Sequence, residues 1–352
     1  MTTQRVDWSV LAPIPEPVCA GHLATDGSIA GDRQALTALL EKRDWAGLSW
    51  PALLASLTAI GRTDIPLARL TEGHIDAVRI LRQAGRIPAP GSLYGVWASR
   101  SRGGGLSAIR EMDRFRLSGT VPFASGSGLL DRALVTAVIQ PQPGTQPVAA
   151  QPEQLLLDVD VHEWTPDLDS WQTAAMGATR SFTVTVRDRC APDHGQVGPA
   201  GFYLGRPGFF TGGIGVAAVW VGAAARVADL VSHFVDGSPN GPDQASRIKL
   251  GSLRLEVSTA NALVGYAGTQ LAAGLESPTS SWCAEDLQDL ATEVRAGVGA
   301  AVRRLLDTSR ELAGPAGLAH AADLSAAIAD LDLYVRQQHS DRDAEHLAGH
   351  AS

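Results

Sequence analysis

The apolar positions of this chain change period twice. Up to about Ala89 they recur at helical spacing: DRQALTALLEKRDW, ALLASLTAIGR and EGHIDAVRILRQAG each carry Leu, Ile and Ala along one face. Gly61, Gly85, Pro88 and Pro90 are the expected stops. From Gly91 the period shortens. RFRLSG, RALVTAVI, QLLLDVDVHEW and SFTVTVRD alternate apolar with polar residues, or are rich in β-branched ones, between Gly, Pro and Asp turns. PQPGTQPVAAQPEQ, from Pro141, reads as a surface loop between two of them. Four or more short strands in one segment predict a small barrel or sandwich. After Pro207 the helical period returns. AAVWVGAAARVADLVSHF, SRIKLGSLRLEVSTANALVGYAGTQLAA, EDLQDLATEVRAGVGAAVRRLLDTSREL and AADLSAAIADLDLYVRQQHSDRDAEHLA predict four long helices of an antiparallel bundle. The expected class is α+β, mainly α. It comprises an N-terminal helical domain (1–90), a middle β domain (91–206) and a C-terminal four-helix bundle (207–352).

Composition narrows the function. With 352 residues, 45% of them hydrophobic and 19% charged, the chain can bury a large core. Its net charge of −8 argues against a phosphate-backbone partner, so no nucleic acid is expected. The positive charge is nearly all arginine, with Lys42 and Lys249 the two lysines. Cys19, Cys190 and Cys283 are far apart, without CxxC or Cys/His ligand spacing, so neither a disulfide framework nor a metal site is expected. MTTQRVDWSVLAPIPEP lacks the apolar core of a signal peptide. The charge-free run 209–225 is short and glycine-rich for a membrane span. A cytoplasmic protein without a membrane partner is the expectation.

Three motif-like features fail on context. Gly213, Gly215 and Ala218, with Asp236 further on, imitate a dinucleotide fingerprint, but GRPGFFTG before them is not a strand. Ser125-Gly126-Ser127 lacks the strand-turn-helix frame of a nucleophile elbow. Asp341, Asp343 and Glu345 read as a charged helix face. His74, in EGHIDA, reads as a helix-packing residue with a satisfied hydrogen bond.

Four stretches in order carry a resemblance. AIGRTDIPLARLTEGHIDAVRIL contains a GR-D-L pattern, and LYGVWASRSRGG follows as a loop rich in small residues. RLSGTVPFASGSGLLDRALVTA is similar to an L-x-G-x-K-x-W/F-x-S/T segment, and MGATRSFTVTVRDRCAP looks like a G-x-R-x-S/T stretch that leads into a strand. Together with the domain order, across roughly 30–347, the chain resembles the acyl-CoA dehydrogenase superfamily of flavoproteins. The resemblance implies FAD, with FMN or diffusible reduced flavin as alternatives, lying between the β domain and the bundle. By position, Trp97, Ala98 and Ser99 match the first flavin-contacting loop. Phe123, Ala124 and Ser125 match the second, where an aromatic packs on the ring and a hydroxyl faces N5. The implied reaction is dehydrogenation of an acyl thioester or related small molecule by hydride transfer to FAD. An electron-transfer or reductase partner and a homodimer or homotetramer are further implications.

The departures matter as much. In this family a glutamate takes the α-proton of the substrate. Counted from Asp330, its slot falls at Gln338, with His339 beside it; the alternative slot falls near Gly212, which has no acid. The lysine of L-x-G-x-K is Val121. The arginine that reaches a neighbouring subunit's pyrophosphate has only Arg247 as a nearby counterpart. A histidine near the end of the last helix is the pattern of monooxygenase members that take reduced flavin from a reductase, so His339 is their candidate catalytic residue. A catalytically degenerate homologue that keeps the bundle for assembly is the third reading.

Overall fold

The Ser28 hydroxyl accepts the Gly31 N–H at 3.0 Å and caps α1 (Ile29–Leu40), which buries Ala35, Leu36 and Leu39. The computed structural model describes residues 15–16, 24–41, 43–99, 104–140, 153–206, 208–239, 241–275 and 282–349. Helices α2 (Trp50–Thr63) and α3 (Ile65–Gln83) meet at Asp64, whose carboxylate accepts the Leu67 N–H at 2.7 Å. The chain forms two compact units. One contains Met1–Ala24, Gly47–Arg69 and Phe210–Ser352; the other contains Thr25–Ala46 and Leu70–Phe209.

The second unit holds one mixed sheet of seven strands: β1 (Tyr94–Trp97), β2 (Gly105–Glu111), β3 (Arg114–Ala124), β4 (Arg132–Ile139), β5 (Gln154–Asp160), β6 (Pro166–Asp167) and β7 (Phe182–Pro192). The order is β1-β4-β2-β3-β7-β6, with β5 antiparallel to β4. Both β1 and β2 run parallel to β4. The predicted barrel or sandwich is thus a single curled sheet. Strand β4 sits among three partners, which is why Ala133, Leu134, Val135 and Ala137 are all buried without alternation. β1, β2 and β6 are additional to the four strands expected: β1 and β6 are four and two residues long, and β2 mixes in the helix formers Ala, Arg and Glu. Strand β3 pairs with β7 through two register shifts, between Leu117 and Gly119 and between Val121 and Ala124. A shift of this kind re-aims the side chains after it. The predicted loop from Pro141 falls largely outside the described residues. A short helix, α4 (Phe202–Gly205), follows the sheet.

The first unit is helical: α2, most of α5 (Gly208–Asp236), α6 (Gln244–Leu275), α7 (Ala284–His320), α8 (Ala322–Val335) and α9 (Ser340–Gly349). Helix α5 is apolar all round from Ile214 to Ala225, and Val219, Trp220, Val221, Ala223 and Ala224 are consecutively or nearly consecutively buried. Such a helix belongs at the centre of a bundle. It is long and apolar enough to cross a membrane, unlike the shorter run read from the sequence, yet 78% of its most apolar window is buried inside the protein. Backbone-to-backbone approach between α2 and α5 explains two glycines: a Cβ at Gly61 would meet the Val219 carbonyl oxygen at 2.5 Å, and one at Gly222 would run into that of Thr58. Helix α6 buries Leu250, Leu253, Val257, Ala260, Val264, Ala267 and Leu271, the spacing of a single stripe. Helix α7 is interrupted at Gly314 (φ 55°), followed by Pro315. The predicted fourth bundle helix is two helices, α8 and α9, because the chain turns at 336–339 and buries Gln338 there.

Candidate functional site

Strand β1 delivers the first predicted loop. Leu93 is anchored by its N–H to Asp131 Oδ2 at 2.7 Å, and Trp97, four residues on, is 2% exposed. The Trp97 indole N–H donates to the Ser125 carbonyl at 2.8 Å, and its ring lies 6.2 Å from that of Trp164. Two sequence-predicted loops therefore meet in a direct hydrogen bond. Ala98 and Ser99 follow, half-buried, at the end of the described segment.

The second loop leaves β3 in an unusual backbone. Phe123 has φ 57°, the left-handed region that costs a non-glycine residue about 1–2 kcal/mol. Its ring is 50% exposed, meeting Trp171 edge-on at 6.4 Å. Ala124 beside it is fully buried. Strained residues of this kind cluster at functional sites. Ser125 is fixed at every polar atom: its N–H donates to the Phe123 carbonyl at 2.9 Å, its carbonyl accepts from Trp97, and its Oγ lies 2.8 Å from Ser181 Oγ. Gly126 (φ 77°) then turns the chain, where a Cβ would meet Leu130 at 2.6 Å.

The turn that faces Ser125 was absent from the candidates read from the sequence. A 3₁₀ turn, Gly177–Thr179, lies between Met176 (φ 55°) and Arg180 (φ 49°), both left-handed. Thr179 Oγ1 donates to the Met176 carbonyl at 2.6 Å and sits 2.8 Å from Ser181 Oγ. Ser127 Oγ donates to the Arg180 carbonyl at 2.8 Å, and Arg180 Nε donates to the Ser127 carbonyl at 3.0 Å. Trp164, Trp171, Thr179 and Ser181 thus join the site. The only signal for them was the MGATRS stretch and two tryptophans in the segment before it. A cleft of about 480 Å³ beside Trp164, lined also by Thr185 and Val186 and bridged by the Arg189–Glu163 ion pair at 2.7 Å, contains none of the predicted site residues.

In the helical unit, Gln338 is 5% exposed. Its Oε1 accepts from Arg303 on α7, and its Nε2 donates to Asp343 on α9 at 2.6 Å. A Cβ at Gly299 would meet Oε1 at 3.2 Å, so that glycine admits the amide to the face of α7. The slot predicted for a general base therefore holds an amide occupied in tying three segments together. His339 is exposed; its carbonyl accepts the Asp343 N–H at 3.0 Å and starts α9. Arg247 lies exposed in the first turn of α6, donating to the Pro242 carbonyl at 2.8 Å.

His74 has the packing role read from the sequence. Its Nδ1 accepts the Tyr94 N–H at 3.0 Å, and burial lowers its pKa to about 4, so the ring is neutral. Gly213, Gly215 and Ala218 lie within α5, in keeping with the rejected dinucleotide reading. Cys190 and Cys283 are exposed free thiols; Cys19 lies outside the described residues.

No protein-family model matches the sequence, and no curated protein matches it. Solved structures do. The dibenzothiophene monooxygenase TdsC of Paenibacillus sp. A11-2, in complex with FMN and indole, superposes with a TM-score of 0.74 at 15% identity. The match covers 92% of this chain and 89% of that one. XiaF of Streptomyces sp., in complex with FADH2 and glycerol, gives 0.70 at 20% identity, covering 91% and 86%. Butyryl-CoA dehydrogenase of Megasphaera elsdenii gives 0.72 at 13% identity, covering 91% and 89%. The chain has the fold of the acyl-CoA dehydrogenases.

Proposed function

We propose that the protein is a flavin-dependent oxidoreductase that works with reduced flavin, FMN or FAD, as a monooxygenase on a small molecule. The observation that carries the choice is Gln338. An acyl-thioester dehydrogenase needs a carboxylate to remove the α-proton, and the predicted slot holds a neutral amide engaged by Arg303 and Asp343. A monooxygenase has no such requirement. The structural neighbours in complex with FMN or FADH2 are consistent with a site that accepts either flavin.

The residues fit a flat heteroaromatic ring. Phe123 offers an exposed face, and the Ser125 hydroxyl is held on the same turn. When bound, flavin supplies the electrons and the oxygen activation that no side chain here can provide. The chain's own part is to bind and orient: Trp97 locks the two loops together, and the half-buried Ala98 and Ser99 border the ring. Arg247 is the candidate for the phosphate end. His339 is the candidate to hold or move a proton at its imidazole nitrogen. A reductase supplies reduced flavin, and a homodimer or homotetramer is the assembly.

The test needs no substrate. Stoichiometric protein mixed with reduced FMN should slow its reoxidation in aerated buffer, and His339→Ala should remove much of that effect while unfolding at the same temperature. Retention of oxidised FAD through desalting, with reoxidation unaffected, would instead support the dehydrogenase reading.

A further inference from the structure

We propose that Thr179 and Ser181 fix the Ser125 hydroxyl as a hydrogen-bond acceptor, so that the site selects reduced over oxidised flavin. This inference deepens the flavin reading above and rests on it. The argument is one of proton counting along a chain of four oxygens. The Met176 carbonyl can only accept, and Thr179 Oγ1 lies 2.6 Å from it, so the single hydroxyl proton of Thr179 is committed to that bond. Ser181 Oγ, 2.8 Å from Thr179 Oγ1, must then donate to it. Ser125 Oγ, 2.8 Å from Ser181 Oγ, must donate in turn. Among the described residues no other side-chain partner competes for these three hydroxyls. The proton of Ser125 therefore points into the protein, and its lone pairs remain for a ligand.

The backbone resists reversal of that polarity. Met176 and Arg180, on either side of the turn, are both held in the left-handed region. Such residues persist only where the surroundings over-determine them. Here the Thr179 N–H donates to the Met176 carbonyl at 3.0 Å. The Gly126 N–H donates to the Thr179 carbonyl at 2.8 Å, and both the N–H and the hydroxyl of Ser127 reach the Arg180 carbonyl. Thr179 itself is 1% exposed, so water does not offer its hydroxyl another partner.

Flavin presents opposite faces of the same hydrogen bond in its two states. Reduced flavin carries an N–H at N5 and donates; oxidised flavin has a lone pair there and needs a donor. With N5 beside Ser125, as the resemblance implies, a hydroxyl locked as acceptor would complete a bond with the first and oppose the second. One neutral hydrogen bond made with one state and missing with the other sets a preference on the order of tenfold, or about 1.4 kcal/mol. For a two-electron couple that ratio raises the bound flavin's potential by about 30 mV. Ser181 and Thr179 act through Ser125 and are positioning residues.

The test is the ratio of dissociation constants for oxidised and dithionite-reduced FMN, measured under argon by tryptophan fluorescence. It is made on the wild type, Ser181→Ala, Thr179→Val and Thr179→Ser, with thermal unfolding to confirm that each is folded. The wild type should favour reduced FMN by about tenfold more than Ser181→Ala and Thr179→Val do, because both free the Ser125 proton. Thr179→Ser, which keeps the hydroxyl, should retain the wild-type ratio. Equal ratios across the four proteins, or a wild type that favours oxidised FMN, overturn the inference and leave the flavin reading standing. A wild type that binds neither form overturns the flavin reading itself. Should the variants fail to fold, the wild-type ratio alone decides: a value of one or below overturns the inference.

Discussion

Replacing Phe123 by glycine separates a ligand-stacking role from a structural one. The left-handed backbone at φ 57° costs phenylalanine about 1–2 kcal/mol that glycine escapes. Against this gain stand about 1 kcal/mol for the ring's half-burial and about 1 kcal/mol for its edge contact with Trp171. Glycine's extra freedom in the unfolded chain adds a further cost of about 0.5–1 kcal/mol. The terms largely offset one another, leaving a loss of about 1 kcal/mol, or roughly 2–4 °C in Tm. Flavin binding should respond quite differently. With half of the ring exposed, and about 200 Å² typical of a buried phenylalanine, about 100 Å² is available to a ligand. Covering it at about 25 cal/mol per Å² is worth about 2.5 kcal/mol, or roughly 70-fold in affinity. The assay pairs a fluorescence titration of reduced FMN with a thermal melt. Affinity within threefold of wild type, or a Tm lower by more than roughly 10 °C, would refute the claim that this ring is held outward for a ligand.

Three further outcomes follow from the packing and the charges. Gly222→Ala drives a methyl into the Thr58 carbonyl and should cost the helical unit about 1–3 kcal/mol, read as a lower Tm. His74 is neutral in the fold with a pKa near 4 against an ordinary 6.5, so the unfolded chain binds its proton first as pH falls. Stability should be complete above pH 6.5 and decline towards pH 4 by up to about 3 kcal/mol from this group. His74→Asn, whose Oδ1 can still accept the Tyr94 N–H, should flatten that part of a pH series of melts. Gln338→Ala leaves the partly buried ends of Arg303 and Asp343 without this partner and should lower Tm by the equivalent of about 1–3 kcal/mol. An unchanged melt would mean the amide is not the tie between α7 and α9.

The helices were legible because burial on one face leaves a period: the stripe on α6 from Leu250 to Leu271 is visible in the sequence as it stands in the fold. The central strand β4 was legible as an uninterrupted apolar run. β1 was not, since four residues between glycine and serine carry too little alternation to register. The break between α8 and α9 was hidden because Gln338, polar in sequence, is buried by partners on α7 and α9 that no local pattern announces. In the candidate site, Phe123 and Ser125 were found through the motif around them. Thr179 and Ser181 were not, because their roles come from a β3–β7 pairing with shifted register and two left-handed residues, which are properties of the folded backbone.

The central claim is that this fold holds flavin, and holds it best when reduced. The most direct measurement is the absorbance spectrum of the purified protein, taken after incubation with oxidised FMN or FAD and desalting, beside an anaerobic titration with the reduced forms. The account predicts little flavin carried through desalting and saturable binding of reduced flavin at one site per chain. A protein that binds neither form would contradict it.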